Sequence, residues 1–130
     1  MKLVLLLLSV CVCKCFSFTC RDEFVKINDG CYHFSNEKII FYDAIKRCRS
    51  MNAFLVSVET IQENFAIKLH LYYKQTNATY YWTSGTDAFH KGQHKWMSTL
   101  ENMAYTDWCN TFTNTQNCIF ISHVPNKATC

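Results

Sequence analysis

The chain has 130 residues, nine of them cysteine, with 49% apolar, 15% aromatic and 18% charged residues. That length and balance describe a single folded domain and exclude a low-complexity or disordered chain. The formal net charge is +3, falling to +1 without residues 1–17, which argues against polyanion steering as the main function, and no basic patch interleaved with aromatics exists for gripping nucleic acid.

Met1 to about Ser17 reads as a secretory signal. Lys2 supplies the positive start, Leu3 to Val12 the apolar run, and Cys15-Phe16-Ser17 a small-residue cleavage site. The run is too short to span a bilayer, so the expected product, residues 18–130, is secreted, extracellular and not held in a membrane. Cleavage removes Lys2 and Lys14 and no acid, leaving eleven basic against ten acidic residues. Cys11, Cys13 and Cys15 leave too, and with them a C-x-C-x-C spacing that looks metal-like. Cys20, Cys31, Cys48, Cys109, Cys118 and Cys130 remain. An even set in a small secreted domain reads as a disulfide framework, but six cysteines allow fifteen pairings.

Phe24, Val25 and Ile27 predict a strand, with Asp29-Gly30 as a turn signal before Cys31. A Cys20–Cys31 bridge would close a loop worth roughly 3 kcal/mol on the chain-entropy model. Phe41, Ala44, Ile45 and Cys48 follow the i, i+3, i+4, i+7 spacing of one helix face, and Asn52 suits a left-handed terminator. Phe54 to Val58 predicts a short buried strand. Thr60-Ile61-Gln62-Glu63 predicts a capping box, and Ile61, Phe65, Leu69 and Tyr72 behind it mark the apolar face of a second helix. Asn77-Ala78-Thr79 is an N-glycosylation sequon. Tyr80 to Ser84, bounded by Gly85, predicts a strand, and Lys95-Trp96-Met97 a shorter one. Hairpin, helix, strand, helix and then strands is an α+β order.

All three tryptophans, Trp82, Trp96 and Trp108, fall between Tyr80 and Trp108, and packing is their default role. The ordered run W-T-S-G-T-D, G, W-M-S-T, Y-T-x-W resembles the middle of a C-type lectin-like domain, most of all the secreted single-domain lectins of invertebrates. C…F…GCYHFS is similar to the N-terminal hairpin of the long form, and the aromatic-x-x-A-x-x-x-C pattern to its first helix. The resemblance covers Cys20 to Cys130. It implies two helices flanking small antiparallel sheets with a long loop region, stapled by disulfides, and it implies carbohydrate binding, with glycans or glycoproteins as partners.

In that family, sugar binding runs through calcium, which needs six to eight hard oxygen ligands. By position, the ligand triplets fall on Phe112-Thr113-Asn114 and Pro125-Asn126-Lys127, and the acid before a cysteine falls on Gln116. The candidate ligand-binding residues are therefore Phe112, Asn114, Gln116, Asn126 and Lys127. An aromatic, neutral amides and an ammonium make a poor calcium set. Carbohydrate binding with weak or no calcium dependence is expected, and a calcium-independent protein-interaction module or antagonist is the alternative. Phe112 is placed as a sugar-stacking or protein-anchoring residue, and Trp108 as core.

The resemblance also implies Cys20–Cys31 and Cys118–Cys130 bridges. Cys48 would pair with a cysteine on a further C-terminal strand, which the sequence ends before reaching, and Cys109 is an extra cysteine. Free thiols, a Cys48–Cys109 bond and a disulfide-linked dimer stay open for these two. The sheet is expected to carry an unpaired edge. No catalytic motif is present: His33, His70, His90, His94 and His123 are scattered, and no H-E-x-x-H, C-x-x-C or G-x-S-x-G occurs. His90 and His94 have helical spacing, but Gly92 between them favours a loop.

Overall fold

A computed structural model of the chain describes residues 18–74, 80–108 and 117–122. In chain order these form β1 (Val25–Ile27), β2 (Gly30–Tyr32), α1 (Phe41–Ser50), α2 (Ile61–Lys74), β3 (Tyr80–Thr86), β4 (Lys95–Trp96) and β5 (Cys118–Ser122). β1 and β2 make a two-stranded antiparallel sheet. The second sheet has the order β4-β3-β5, antiparallel throughout.

The hairpin turns one residue earlier than the sequence signal suggests. Ile27 pairs with Gly30, so the loop is Asn28-Asp29, with Asn28 at φ 51°. Asn enters left-handed backbone more readily than most residues, which is why it takes that corner. Gly30 is in the strand, paired with Ile27, and the Tyr32 ring lies over it, 2.6 Å from where a Cβ would sit. The Cys20–Cys31 disulfide, with Cα atoms 5.6 Å apart, ties the entering chain to β2.

α1 buries Phe41 and Ala44, with Ile45 and Cys48 half-buried on the same side, as its spacing predicts. Asp43 sits in the first turn and Arg47 and Arg49 in the last, matching the helix dipole. Beyond Ser50 and the cap residue Met51, Asn52 turns left-handed at φ 50° and stops the helix. The Asn52 N–H donates to Arg49 O and the Ala53 N–H to Cys48 O, the double bond of a Schellman motif.

The strand expected over Phe54–Val58 does not form. Val58 is buried, but Phe54 is 69% exposed. This segment attaches to β3 through a single backbone bond, Ser84 N–H to Val56 O at 2.7 Å, too few for a ladder. It is reinforced by a ring of hydroxyls in which Ser57, Ser84 and Ser98 all contact one another.

α2 begins close to the predicted capping box. The Glu63 N–H donates to Thr60 Oγ1, while the Glu63 carboxylate accepts from the Glu59 N–H, one residue before the cap. That carboxylate also accepts from the Tyr32 hydroxyl at 2.7 Å, pinning the helix start to the hairpin. The inward face is Asn64, Ile67 and Leu71, not the Ile61, Phe65, Leu69 and Tyr72 stripe. Apolar side chains lie on both sides of this helix, so periodicity marks a helix but not which side packs.

Val58, Ile67, Leu71, Trp96 and Ile121 form the core, with Tyr32, Phe34, Val56, Tyr81, Met103 and Tyr105 packed around them. β3 carries a register shift against β5 between Trp82 and Thr86. There Thr83 Oγ1 donates to Ile119 O at 2.8 Å and accepts from the Gly85 N–H. Gly85 has no room for a side chain: a Cβ would lie 2.9 Å from Ile119 Cδ1 and 3.1 Å from Trp96 Cζ3.

Candidate functional site

The resemblance places the ligand contacts on the segment between Trp108 and Asn117 and on the one after Ser122. Phe112, Asn114, Gln116, Asn126 and Lys127 lie outside the described residues, as do Cys109, Cys130 and the Asn77 sequon. What the structure describes is the rim formed by the residues that flank those segments in the chain.

One end of the rim is the junction of β3 with β5. The Asp87 N–H and the Thr86 hydroxyl both donate to Asn117 O, and Lys91 Nζ donates to Asn117 Oδ1 at 3.1 Å. Asp87 is 4% exposed, and its Oδ2 accepts from the Gly92 N–H at 2.9 Å with Lys91 Nζ 3.7 Å away. Gly92 is at φ 83°, the left-handed corner of the loop that brings its N–H onto the carboxylate. That bond, then the Lys91 and His94 charges, hold the Asp87 carboxyl below its ordinary range against an opposing cost of burial. Beside it, burial pushes the Cys118 thiol up, partly offset by a bond from Thr86. No disulfide joins Cys118 or Cys48 to another described residue.

The other end is Trp108. The sequence reading puts it in the core, yet it is 40% exposed, with its ring 5.0 Å from that of His94 at 51°. The preceding residue, Asp107, fixes this corner instead. Its Oδ2 accepts from Asn64 Nδ2 and Lys68 Nζ, each at 2.8 Å, and Asn64 Nδ2 also reaches Tyr105 Oη at 2.9 Å. The Lys68 bond is the main reason the Asp107 carboxyl stays below its ordinary range. With its neighbour's side-chain carboxylate anchored to α2, Trp108 is left facing outward.

The rim offers the exposed indole of Trp108, the half-exposed carboxylate of Asp107 and the exposed Asn117 amide, with Asp87 and Asn64 buried behind them. Such groups stack on the apolar face of a sugar ring and bond its hydroxyls. Among the described residues no three His, Cys, Asp or Glu side chains gather where they could hold a metal ion. The sequence reading missed both the Asp87–Lys91–Asn117 clamp and the Asn64–Asp107 bond. The first had a signal, an acid five residues before a glycine. The second had only a polar residue on an otherwise apolar helical face.

A family model described as the lectin C-type domain matches residues 37–130. The chain belongs to the C-type lectin domain family. This lectin-family chain is 29% identical over 110 residues to C-type lectin 37Da of Drosophila melanogaster, an alignment spanning 82% of this chain but 59% of that protein. It thus spans less than two thirds of that relative's length. Among solved structures, the carbohydrate-recognition domain of the mouse scavenger receptor C-type lectin superposes with a TM-score of 0.71 at 25% identity, covering 80% of each chain. A structure named as the complex of SPL-1 with GlcNAc gives 0.69 at 26% identity, covering 85% of this chain and 78% of that one. The expected C-type lectin fold of two helices and small antiparallel sheets is thereby established. The family is one of binding modules rather than enzymes, and no described helix of this lectin-family chain is long and apolar enough to cross a membrane.

Proposed function

We propose that the chain is a secreted recognition protein that binds glycans or glycoproteins with weak or no calcium dependence. Membership of the C-type lectin family carries the glycan half. The exposed indole of Trp108, at the start of the segment where the resemblance puts sugar contacts, supports it. GlcNAc, the sugar named with the SPL-1 structure, is the first ligand to try. The apolar leader and the Cys20–Cys31 disulfide support secretion.

The calcium half rests on donor chemistry. A calcium site needs several charged oxygens, and Phe112, Asn114, Gln116, Asn126 and Lys127 supply none. Of the described carboxylates at the rim, Asp87 already faces the Gly92 N–H and the Lys91 ammonium, and Asp107 the Asn64 amide and the Lys68 ammonium. Calcium does not fit this set, and no step of recognition is routed through it. A glycan array probed with the secreted protein, once with calcium and once with chelator, tests both halves. Binding retained in chelator is the expected result. Binding lost in chelator contradicts the calcium half, and silence in both conditions contradicts the glycan half.

The same losses support a second reading, a protein-interaction module or antagonist that keeps the frame and has given up sugar. It predicts a blank array together with saturable binding to a protein ligand.

A further inference from the structure

The α2 stripe that the sequence marks as buried lies outside. Ile61, Phe65, Leu69 and Tyr72 are 62%, 66%, 41% and 58% exposed, and the adjoining Tyr73 is 73% exposed. At roughly 100° per residue, the first four fall within an arc of about 80°, on the far side of the helix from Ile67 and Leu71. They form a continuous apolar seam along nearly the whole of α2. An exposed patch of this kind marks an interaction surface.

The seam is free of charge. Glu63 is engaged with Tyr32 and the Glu59 N–H, Lys68 with Asp107, and His70 stacks on Phe34. Gln62 and Ala66 lie along one flank of the seam, and Lys68, ion-paired with Asp107 and with its side chain 15% exposed, along the other. Such a surface selects neither an acidic nor a basic partner. It does match itself. Its midpoint lies between Phe65 and Leu69, with one apolar end at Ile61 and the other at Tyr72 and Tyr73.

We infer that two copies of this chain associate through α2, antiparallel about a two-fold axis. Phe65 of one copy packs on Leu69 of the other, and Ile61 of one on Tyr72 and Tyr73 of the other. This is an isologous contact, closed by symmetry. With about 200 Å² for a fully exposed ring, the exposed fractions give each copy on the order of 500 Å² of apolar area. A standard stable interface takes about 800 Å² per partner, and transient ones less than roughly 600 Å². The dimer is therefore reversible, and it needs no cysteine.

Sedimentation of the secreted protein, with free thiols blocked to exclude disulfide exchange, tests this. The wild type is expected to show a concentration-dependent monomer–dimer equilibrium with Kd roughly micromolar or weaker. Phe65→Glu and Leu69→Glu each weaken it by about tenfold or more, since a carboxylate would be desolvated in the seam. Phe54→Glu, equally exposed but off the seam, leaves it unchanged, and unchanged melting temperatures show that all variants fold. The register is read by mixing. Phe65→Glu with Leu69→Lys should associate more tightly than either alone, because positions 65 and 69 face each other across the axis. A wild type monomeric up to about 1 mM overturns the proposal. So does a dimer indifferent to Phe65→Glu, and a mixture no tighter than its components overturns the antiparallel arrangement.

Discussion

Asn64, 7% exposed in the middle of α2, donates from one amide nitrogen to both Asp107 and Tyr105. A helix is thereby joined to a segment some forty residues later by a polar bond inside an apolar contact. The corner that carries Trp108 depends on it.

Replacing Asn64 by alanine removes that donor and leaves the Tyr105 hydroxyl and Asp107 short of a partner. The expected cost is about 1–3 kcal/mol, the range for orphaning buried polar groups. Thermal melting of Asn64→Ala should fall clearly below wild type. A Lys68→Met change, which removes an exposed-side contact to the same carboxylate, should cost less.

Gly85 sits where β3, β5 and Trp96 converge. A methyl group there meets Ile119 Cβ at 3.1 Å as well as its Cδ1, so the neighbour's branch point, and not only a movable tip, must shift. Gly85→Ala is expected to destabilise by about 1–3 kcal/mol, as overpacking does. Denaturant melts check this, with Gly92→Ala as a contrast: a Cβ there meets nothing within 4 Å, and its cost comes from the φ of 83° alone.

His70 stacks on Phe34 with ring centroids 4.9 Å apart, and burial, then Lys74, hold its pKa below the ordinary histidine value. The folded state thus takes up a proton at lower pH than the unfolded chain. Stability from this group is complete above about pH 6.5 and is lost as pH falls from there toward the depressed folded value. Melting temperature between pH 7.5 and 5 should fall more steeply for wild type than for His70→Gln. Equal slopes would mean that other groups carry the acid sensitivity.

Cys48 is half-buried in α1, and burial pushes its thiol up, Arg47 partly opposing. Native protein at neutral pH should therefore alkylate at Cys48 more slowly than unfolded protein, since the thiolate is the reactive form. Peptide mapping without reduction reads the remaining cysteines in the same experiment. A Cys118–Cys130 cross-linked peptide is expected from the family frame. Its absence, with Cys118 labelled, would remove that bridge.

Elements with one dominant physical signal were legible in the sequence. The α1 face, its Asn52 terminator and the β3 strand around Trp82 follow from spacing and residue chemistry, and the Cys20–Cys31 bridge across the hairpin is the one the family resemblance implies. The misplaced features each involve a choice that local pattern leaves open. α2 has apolar residues on two sides, and tertiary packing selects Ile67 and Leu71. Phe54–Val58 has strand-like composition, but it meets β3 through one backbone bond and leaves Phe54 exposed. Trp108 is held outward because Asp107 beside it is captured by Asn64 and Lys68, a relationship across forty residues that no window of sequence contains. The candidate sugar contacts were read from motif positions alone and lie outside the described residues.

The most direct test of the central claim is a thermal melt of the mature secreted protein with millimolar calcium against chelator. A ligand that binds the native state stabilises it by RT ln(1 + [L]/Kd), about 2.7 kcal/mol at a hundredfold excess over Kd. For a domain of this size that would raise the melting temperature by roughly 5–15 °C. An unchanged transition is the result expected of a donor set without carboxylates, and an upward shift of that order would contradict it.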